Sequence, residues 1–494
     1  MNQSIKDLML SKSLFLNGLQ CYKSLYLHKY HPELKDEISE TQNALFQSGK
    51  EVGILAQKMF PGGVEIPYEG LTYSEQIKRT ASEIDKGATT IYEATFSYDE
   101  VFAKIDILHK GKKGWELYEV KSATDVKDVY LNDIAVQFYV VNGSDLPVSC
   151  VSLVHINKNY VRKGDIEVKK LFTTKDVTDE TMGKQGFIME EINKQKEMLK
   201  GNMPKIDIGD YCSNPYVCNF KGYCWQHIPA NSIFSLKGVG VDKFELYKHG
   251  IMHLRDVPKG LLSRHQRIQL EGALEKKNVF NQDKVKKFLD SLWYPLYFLD
   301  FETTYMNPIP MFEGTKPYQE VPFQYSLHYL ENENVELRHR EYLAPAGIDP
   351  RKKLIEKLLN EIPDDACVLV YNKSFEAIIL KSLKGWFPEW SNKIVKIIMN
   401  IRDLMEPFKK KDIYYWQFNG SYSIKNILPV LVPELSYEGM EISDSEMPAS
   451  AYFQMWESKD SAETEHIRKA LLEYCKLDTL AMVRIVEKLK ELLG

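Results

Sequence analysis

The run YPLYFLDFETTY sets the hardest condition on how this chain can fold. It has the length and aromatic content of a buried strand, yet it carries Asp300 and Glu302 near its end. Side chains on a strand alternate faces, so these two acids share one. Two carboxylates that close repel by about 4 kcal/mol at an intermediate dielectric, a cost that a bound cation removes. A second stretch poses the same problem. VFAKIDILHKGKKGWELYEVKSAT reads as two strands joined by a turn at Gly111–Gly114, with Asp106 on the first and Glu119 and Lys121 on one face of the second. A hairpin brings the three together. Asp106 and Glu119 would then hold a divalent cation that polarises a phosphodiester and acidifies its bound water. Lys121 would orient that water or steady the developing charge, and the two carboxylates favour its protonated form.

Taken alone, Glu-x-Lys on a strand is an ordinary solvated face. Asp106, about a dozen residues, then Glu119-x-Lys121 resembles the PD-(D/E)XK nuclease motif. The helical stretch that follows, DVYLNDIAVQFYVV, carries Gln137 and Tyr139, which look like the Gln–Tyr motif of the RecB-like exonuclease branch. The resemblance implies a restriction-endonuclease-like fold, with Gln137 in the site and Glu93 as an extra metal ligand. Gly53 stands where RecB-type enzymes often carry a metal-binding His, a departure from that pattern.

Beyond Glu302, ACVLVYNKSFE reads as a strand followed by a helix start with Asn372 and Glu376. Near the C-terminus, LLEYCKLDTLAMVRIVEKL reads as a helix that puts Tyr474 and Asp478 on one face, a turn apart. Asp-x-Glu, Asn-x3-acid and Tyr-x3-Asp, in that order, resemble the motifs of the DEDD family, the DnaQ-like 3′→5′ exonucleases on an RNase H-like fold. That likeness implies that Asp300, Glu302 and Asp478 bind two Mg²⁺ or Mn²⁺ ions and that Tyr474 orients the attacking water. Glu376 would replace the usual Asp, one methylene longer. Asp403, in IRDLMEPF, lies where related enzymes often have a further Asp, and YSIKNILP resembles the helix that packs beneath the site.

Seven cysteines in a chain read as intracellular point to metal or redox chemistry sooner than to disulfides. Cys212, Cys218 and Cys224 are spaced C-x5-C-x5-C, unlike the C-x(2–4)-C pairs of common zinc sites. An iron–sulfur cluster, a zinc ion and unliganded buried thiols all remain open. The layout is similar to the iron–sulfur RecB-like exonucleases, including the CRISPR-associated branch, where one early Cys joins three after the catalytic core. By that resemblance Cys21 and the trio would hold a 4Fe–4S cluster and close a loop of some 190 residues. Cys150 and Cys367, in apolar runs, read as core residues.

The chain is of the α/β class, and its 494 residues suffice for two or three domains. Composition shifts give three regions: residues 1–227 as the RecB-like domain, 228–290 as a helical linker and 291–494 as the RNase H-like domain. The linker's Gly-x-Gly turn is weakly similar to a helix-hairpin-helix, whose backbone N–H groups hold phosphates, or is a plain spacer. The basic stretch KKNVFNQDKVKKF beside it would track a strand backbone or be a solvated face. No apolar run reaches membrane-spanning length, and Lys12 and Asn17 interrupt any signal core, so a cytoplasmic chain without membrane contacts is expected. A net charge of −5 offers no basic footprint and counts against a simple nucleic-acid-binding module. It does not count against a nuclease, because metals meet the phosphate. The expected function is a metal-dependent nuclease with two sites acting on nucleic acid, DNA first, in repair, recombination or phage defence. A DNA-end-binding scaffold with one inert site and an RNA exonuclease are the alternatives.

Overall fold

A computed structural model describes residues 9–304, 307–442 and 447–494. Residues 1–8, the start of the stretch read as lacking a signal core, lie outside them. The fold is mixed α/β, and among the described residues no helix is long and apolar enough to cross a membrane. The chain forms two compact units: residues up to His227 with Asn307–Tyr318, and Ile228–Met306 with Gln319–Gly494.

In the first unit, helix α1 (Lys12–Gln20) starts where the Ser11 side chain accepts from the Leu14 N–H. It stops at Cys21, whose extended backbone (φ −165°, ψ 118°) breaks it from α2 (Tyr22–Tyr30). A Ser39–Gln42 capping box opens α3 (Glu40–Gln57). Strands β1 (Thr90–Tyr98), β2 (Val101–Lys110) and β3 (Trp115–Lys121) form an antiparallel meander. Helix α4 (Asp128–Gly143) crosses to β4 (Val148–Ile156), parallel to β3, and β5 (Phe172–Asp176) closes that edge. Helix α5 (Gln185–Lys200) packs against α1 closely enough that a Cβ on Gly18 would lie 2.4 Å from Gln195. The core gathers Phe15, Leu25, Ile105, Leu117, Ile134 and Leu153, all at most 1% exposed. Cys150 is half-buried beside Ser152 and Asp176, where the sequence reading made it a core residue; Cys367 is fully buried.

The residues read as a separate helical linker, 228–290, fall in the second unit. Much of the segment is turns and loops. Lys243–Lys248 forms a short helix, and Gly238 and Gly250, both at positive φ (80° and 77°), stop it from extending. Helix α6 (Arg264–Glu275) holds the loop in place. Its Gln269 side chain exchanges hydrogen bonds with the Lys237 backbone, and Gln266 accepts from the Val241 N–H. The strand Val279–Phe280 then pairs with Ile413–Tyr414, which anchors the segment to the rest of the unit.

A five-stranded sheet follows, made by β6 (Leu296–Thr303), β7 (Pro322–Leu330), β8 (Arg338–Leu343), β9 (Cys367–Val370) and β10 (Ile401–Asp403). Its spatial order is β8-β7-β6-β9-β10, antiparallel on one side of β6 and parallel on the other. Helix α7 (Arg351–Glu361), after β8, and α8 (Lys373–Trp386), after β9, cover one face. Helix α9 (Ile424–Leu431) and the 33-residue α10 (Ser461–Leu493) cover the other. Parity along β6 decides where its acids go. Tyr297, Leu299 and Phe301 enter the α7–α8 core, whereas Leu296 and Phe298 enter the α10 core, so Asp300 and Glu302 lie on the α10 side.

A polar clasp fixes α10 on the sheet. Thr479 is 2.7 Å from the Ser326 hydroxyl and 2.8 Å from His328 Nδ1, and Ser326 also bonds His339. Burial pulls the two histidines down from 6.5, to about 3 for His328 and about 4 for His339. Both are therefore neutral in the folded state, while an unfolded chain takes up their protons below pH 6.5. This part of the stability is complete above pH 6.5 and lost as pH falls towards 4. We expect His339→Gln to flatten the fall in denaturant midpoint between pH 7 and pH 5, measured against wild type; parallel profiles would contradict it.

Candidate functional site

In the second unit, α10 crosses the sheet so that Asp478 faces the acids of β6. Asp300 and Glu302 are half-buried and Asp478 is buried. Burial pushes the Asp300 carboxyl well above the ordinary carboxylate range, and Asp478 adds to the shift. Glu302 is driven up by burial, then by Asp300 and Asp478. Asp478 itself is pushed up by burial to about 6, against a 2.5 Å hydrogen bond from the Tyr437 hydroxyl, the field of Lys425 and a bond from Tyr474. Glu376 lies in the first turn of α8; burial and then Asp300 hold its carboxyl well above normal, and among the described residues its Oε2 has no hydrogen-bond partner. Asp403 has a different task. Its carboxylate accepts from the N–H groups of Asn372, Lys373 and Met405, and so fixes the start of the helix that carries Glu376. Asn372 contributes this turn through its backbone, at φ 91°.

The expected residues Asp300, Glu302, Glu376, Tyr474 and Asp478 therefore belong to one cluster. Sequence reasoning missed Cys475, Tyr437 and Lys425. Cys475 donates to Asp300 Oδ2 at 3.6 Å, and its sulfur lies within 4.8 Å of ligand oxygens of both Asp300 and Glu302. The signal was present: Cys475 and Asp478, three apart on a helix, share a face. Lys425 sits in the YSIKNILP stretch, over the rings of Tyr437 and Tyr474. The donor set suits a divalent cation, since buried like charges and an unpartnered carboxylate oxygen both need one.

The first unit assembles its site differently. The β2–β3 ladder pairs Ile107 with Tyr118, so the next step sets Asp106 opposite Glu119. Asp106 accepts from the Val120 N–H at 2.7 Å; burial raises its carboxyl, opposed first by Lys12. Glu119, 2% exposed, is engaged through both oxygens. Its Oε1 accepts from Lys121 at 2.6 Å and Lys12 at 3.0 Å, and its Oε2 from Gln137 at 2.8 Å. Asp133 pairs with both lysines and with Gln137. Burial works against the charge on Lys121, but Glu119 and Asp133 outweigh it and hold the amine well above its ordinary value. Asp133 is legible in hindsight, one helical turn before Gln137. Lys12 gave no signal, being 107 residues from its partner. Glu93 falls opposite Asp106 at a step where the β1–β2 ladder skips a pair, with φ 57°, and burial raises its carboxyl. Tyr139 instead donates to Asp99, and a Cβ on Gly53 would meet open space. A cation at this site would compete with Lys12 and Lys121 for Glu119.

Cys21, Cys212, Cys218 and Cys224 converge on one small hollow, which Lys23, Tyr211 and Phe220 also line. All four are free thiols. Burial raises the Cys21 and Cys224 thiols, and each also feels Cys212 and Cys218. The break between α1 and α2 presents Cys21, and Gln20 donates to the Tyr211 and Tyr216 carbonyls at 2.7 Å, tying the early segment to the late one.

The domain of unknown function DUF2779 matches residues 297–423, a span that holds Asp300, Glu302, Glu376 and Asp403. An uncharacterised protein of Mycoplasma pneumoniae is 23% identical over 274 residues, which cover 50% of this chain. The match spans 40% of that relative's length.

The raised carboxyls oppose folding at neutral pH. A raised folded-state value makes the cost absent below about pH 4 and present above it. Glu302→Gln removes one charge from the cluster, so the ion-free variant should melt higher than wild type at pH 7.5 and lose that advantage near pH 4. Equal melting temperatures at pH 7.5 would show that these charges are not in conflict.

Proposed function

We propose that this chain is a metal-dependent nuclease acting on DNA, with an exonuclease site in the second unit and a PD-(D/E)XK-like site in the first. The observation that carries the reading is the gathering of Asp300, Glu302, Glu376 and Asp478 in one partly buried cluster. Asp300, Glu302 and Asp478 would hold Mg²⁺ or Mn²⁺, which supplies charge neutralisation at the phosphodiester and an acidified water. Tyr437 keeps one Asp478 oxygen in place, and Tyr474, a helical turn away, orients water next to it. Lys425 offsets part of the negative charge before a cation arrives.

For the first unit a second reading has an observation of its own. Both Glu119 oxygens are engaged, so this site would grip a strand through Lys12 and Lys121 without cutting it. The single-site variants separate the two readings. We expect wild type with Mg²⁺ or Mn²⁺ to degrade end-labelled DNA. Glu119→Ala should keep a 3′→5′ activity that a 3′ block stops, and Asp300→Ala should lose it. Tyr474→Phe should only slow it. If the first unit cuts, Lys121→Gln in the Asp300→Ala background drops the remaining cleavage by orders of magnitude. No cleavage of DNA by wild type with either ion would refute the nuclease reading; cleavage of RNA alone would move the substrate to RNA.

The cysteine hollow supports a 4Fe–4S staple over zinc. A tetrahedral zinc site sets its sulfurs roughly 3.8 Å apart. Among the described residues no three of these thiols lie within 4.8 Å of one another, a spacing met there by Asp300, Glu302 and Cys475. Protein purified without oxygen should be brown and contain iron and acid-labile sulfide, and Cys218→Ser should cost stability before chemistry. Zinc without iron would replace the cluster, and neither metal would remove the staple.

A further inference from the structure

The second unit's acidic site contains a donor that Mg²⁺ chemistry does not use. Cys475 is fully buried, and its sulfur stands 3.6 Å from Asp300 Oδ2, inside a group that includes a Glu302 oxygen. A tetrahedral ion holding sulfur at about 2.3 Å and oxygen at about 2.1 Å sets the two about 3.6 Å apart. An independent observation points to a ligand in the same place. Glu376, 1% exposed, keeps Oε2 without a hydrogen-bond partner among the described residues, and Asp300 is the charge it feels most. Hard ions such as Mg²⁺ select oxygen donors, whereas zinc-class ions accept thiolate with carboxylate. We propose that Asp300, Glu302 and Cys475 form a mixed carboxylate–thiolate centre that takes a zinc-class divalent ion in preference to Mg²⁺. This rests on the reading of the cluster as a cation site, and not on cleavage of any polymer. In a nuclease the centre would make the metal that occupies the site, and hence its activity, depend on which divalent ion is available.

Cobalt(II) is the probe, because a sulfur–cobalt bond gives a near-ultraviolet charge-transfer band whether or not the protein cuts DNA. Full-length protein without bound metal is titrated with Co²⁺ beside Cys475→Ser and Glu302→Gln. The Cys21, Cys212, Cys218 and Cys224 hollow is common to all three and cancels in the difference spectra. We expect a band in wild type that both variants lose, that a large excess of Mg²⁺ leaves in place, and that Zn²⁺ removes. Zinc affinity at this site should fall at least about tenfold in Cys475→Ser, no less than the loss of a supporting partner costs. Glu302→Gln keeps all seven thiols, so it decides the matter if Cys475→Ser does not fold. Difference spectra without the band would overturn the centre and leave Cys475 a core thiol, even if the protein proves to be a nuclease. A band in a protein that cuts nothing would uphold the centre and refute the nuclease reading.

Discussion

Like charges held together partly out of water set the terms for the second unit's site. Asp300, Glu302 and Asp478 would separate if they were free to, and burial raises the cost of each charge. The surrounding structure denies them that freedom. Two of them are fixed by the parity of β6, which must bury Leu296 and Phe298 on the same face. The third is fixed by α10, whose Thr479 is clasped between Ser326 and His328. The hydrophobic core therefore maintains an electrostatic arrangement that is unfavourable on its own, and a bound cation would turn it into a favourable one.

The first unit solves the same problem with its own cations. Lys12 and Lys121 share Glu119 and Asp133, and Gln137 fills the remaining oxygen. Breaking such a pair by removing one partner leaves an uncompensated buried charge, which is more damaging than losing the pair as a whole. The two sites thus differ in kind. One is poised for an added positive charge, and the other must exchange a charge it already has.

Local patterns carried most of what could be read ahead of the structure. The alternation that put Asp300 beside Glu302, the turn at Gly111–Gly114 and the helical spacing of Tyr474 and Asp478 all follow from periodicities of two and 3.6. Residues brought in from a distance left no such trace. Lys12 is one lysine among many until α1 lays it over Glu119, and Lys425 acquires its role only when α9 packs on α10. Asp403, one further Asp by its place in the sequence, supports the cluster indirectly by capping the start of the helix that carries Glu376. In the region 228–290 helical spacing gives a full helix only at Arg264–Glu275; before it, glycines at positive φ turn the chain before a long helix can form.

The excursion of Asn307–Tyr318 bears on the order in which the protein can be made. Ile309 and Tyr318 pack on a cluster with Ile107, Val154 and Tyr160, all belonging to the first unit. On the ribosome that cluster stays partly uncovered after His227 has emerged, until about ninety further residues follow. At roughly 5 to 20 residues per second this is a wait of several seconds to nearly twenty. By the end of that wait β6 has also left the tunnel, without the helix that will cover its acids. The first unit is therefore finished by sequence synthesised within the second unit's span, after the second has begun to emerge.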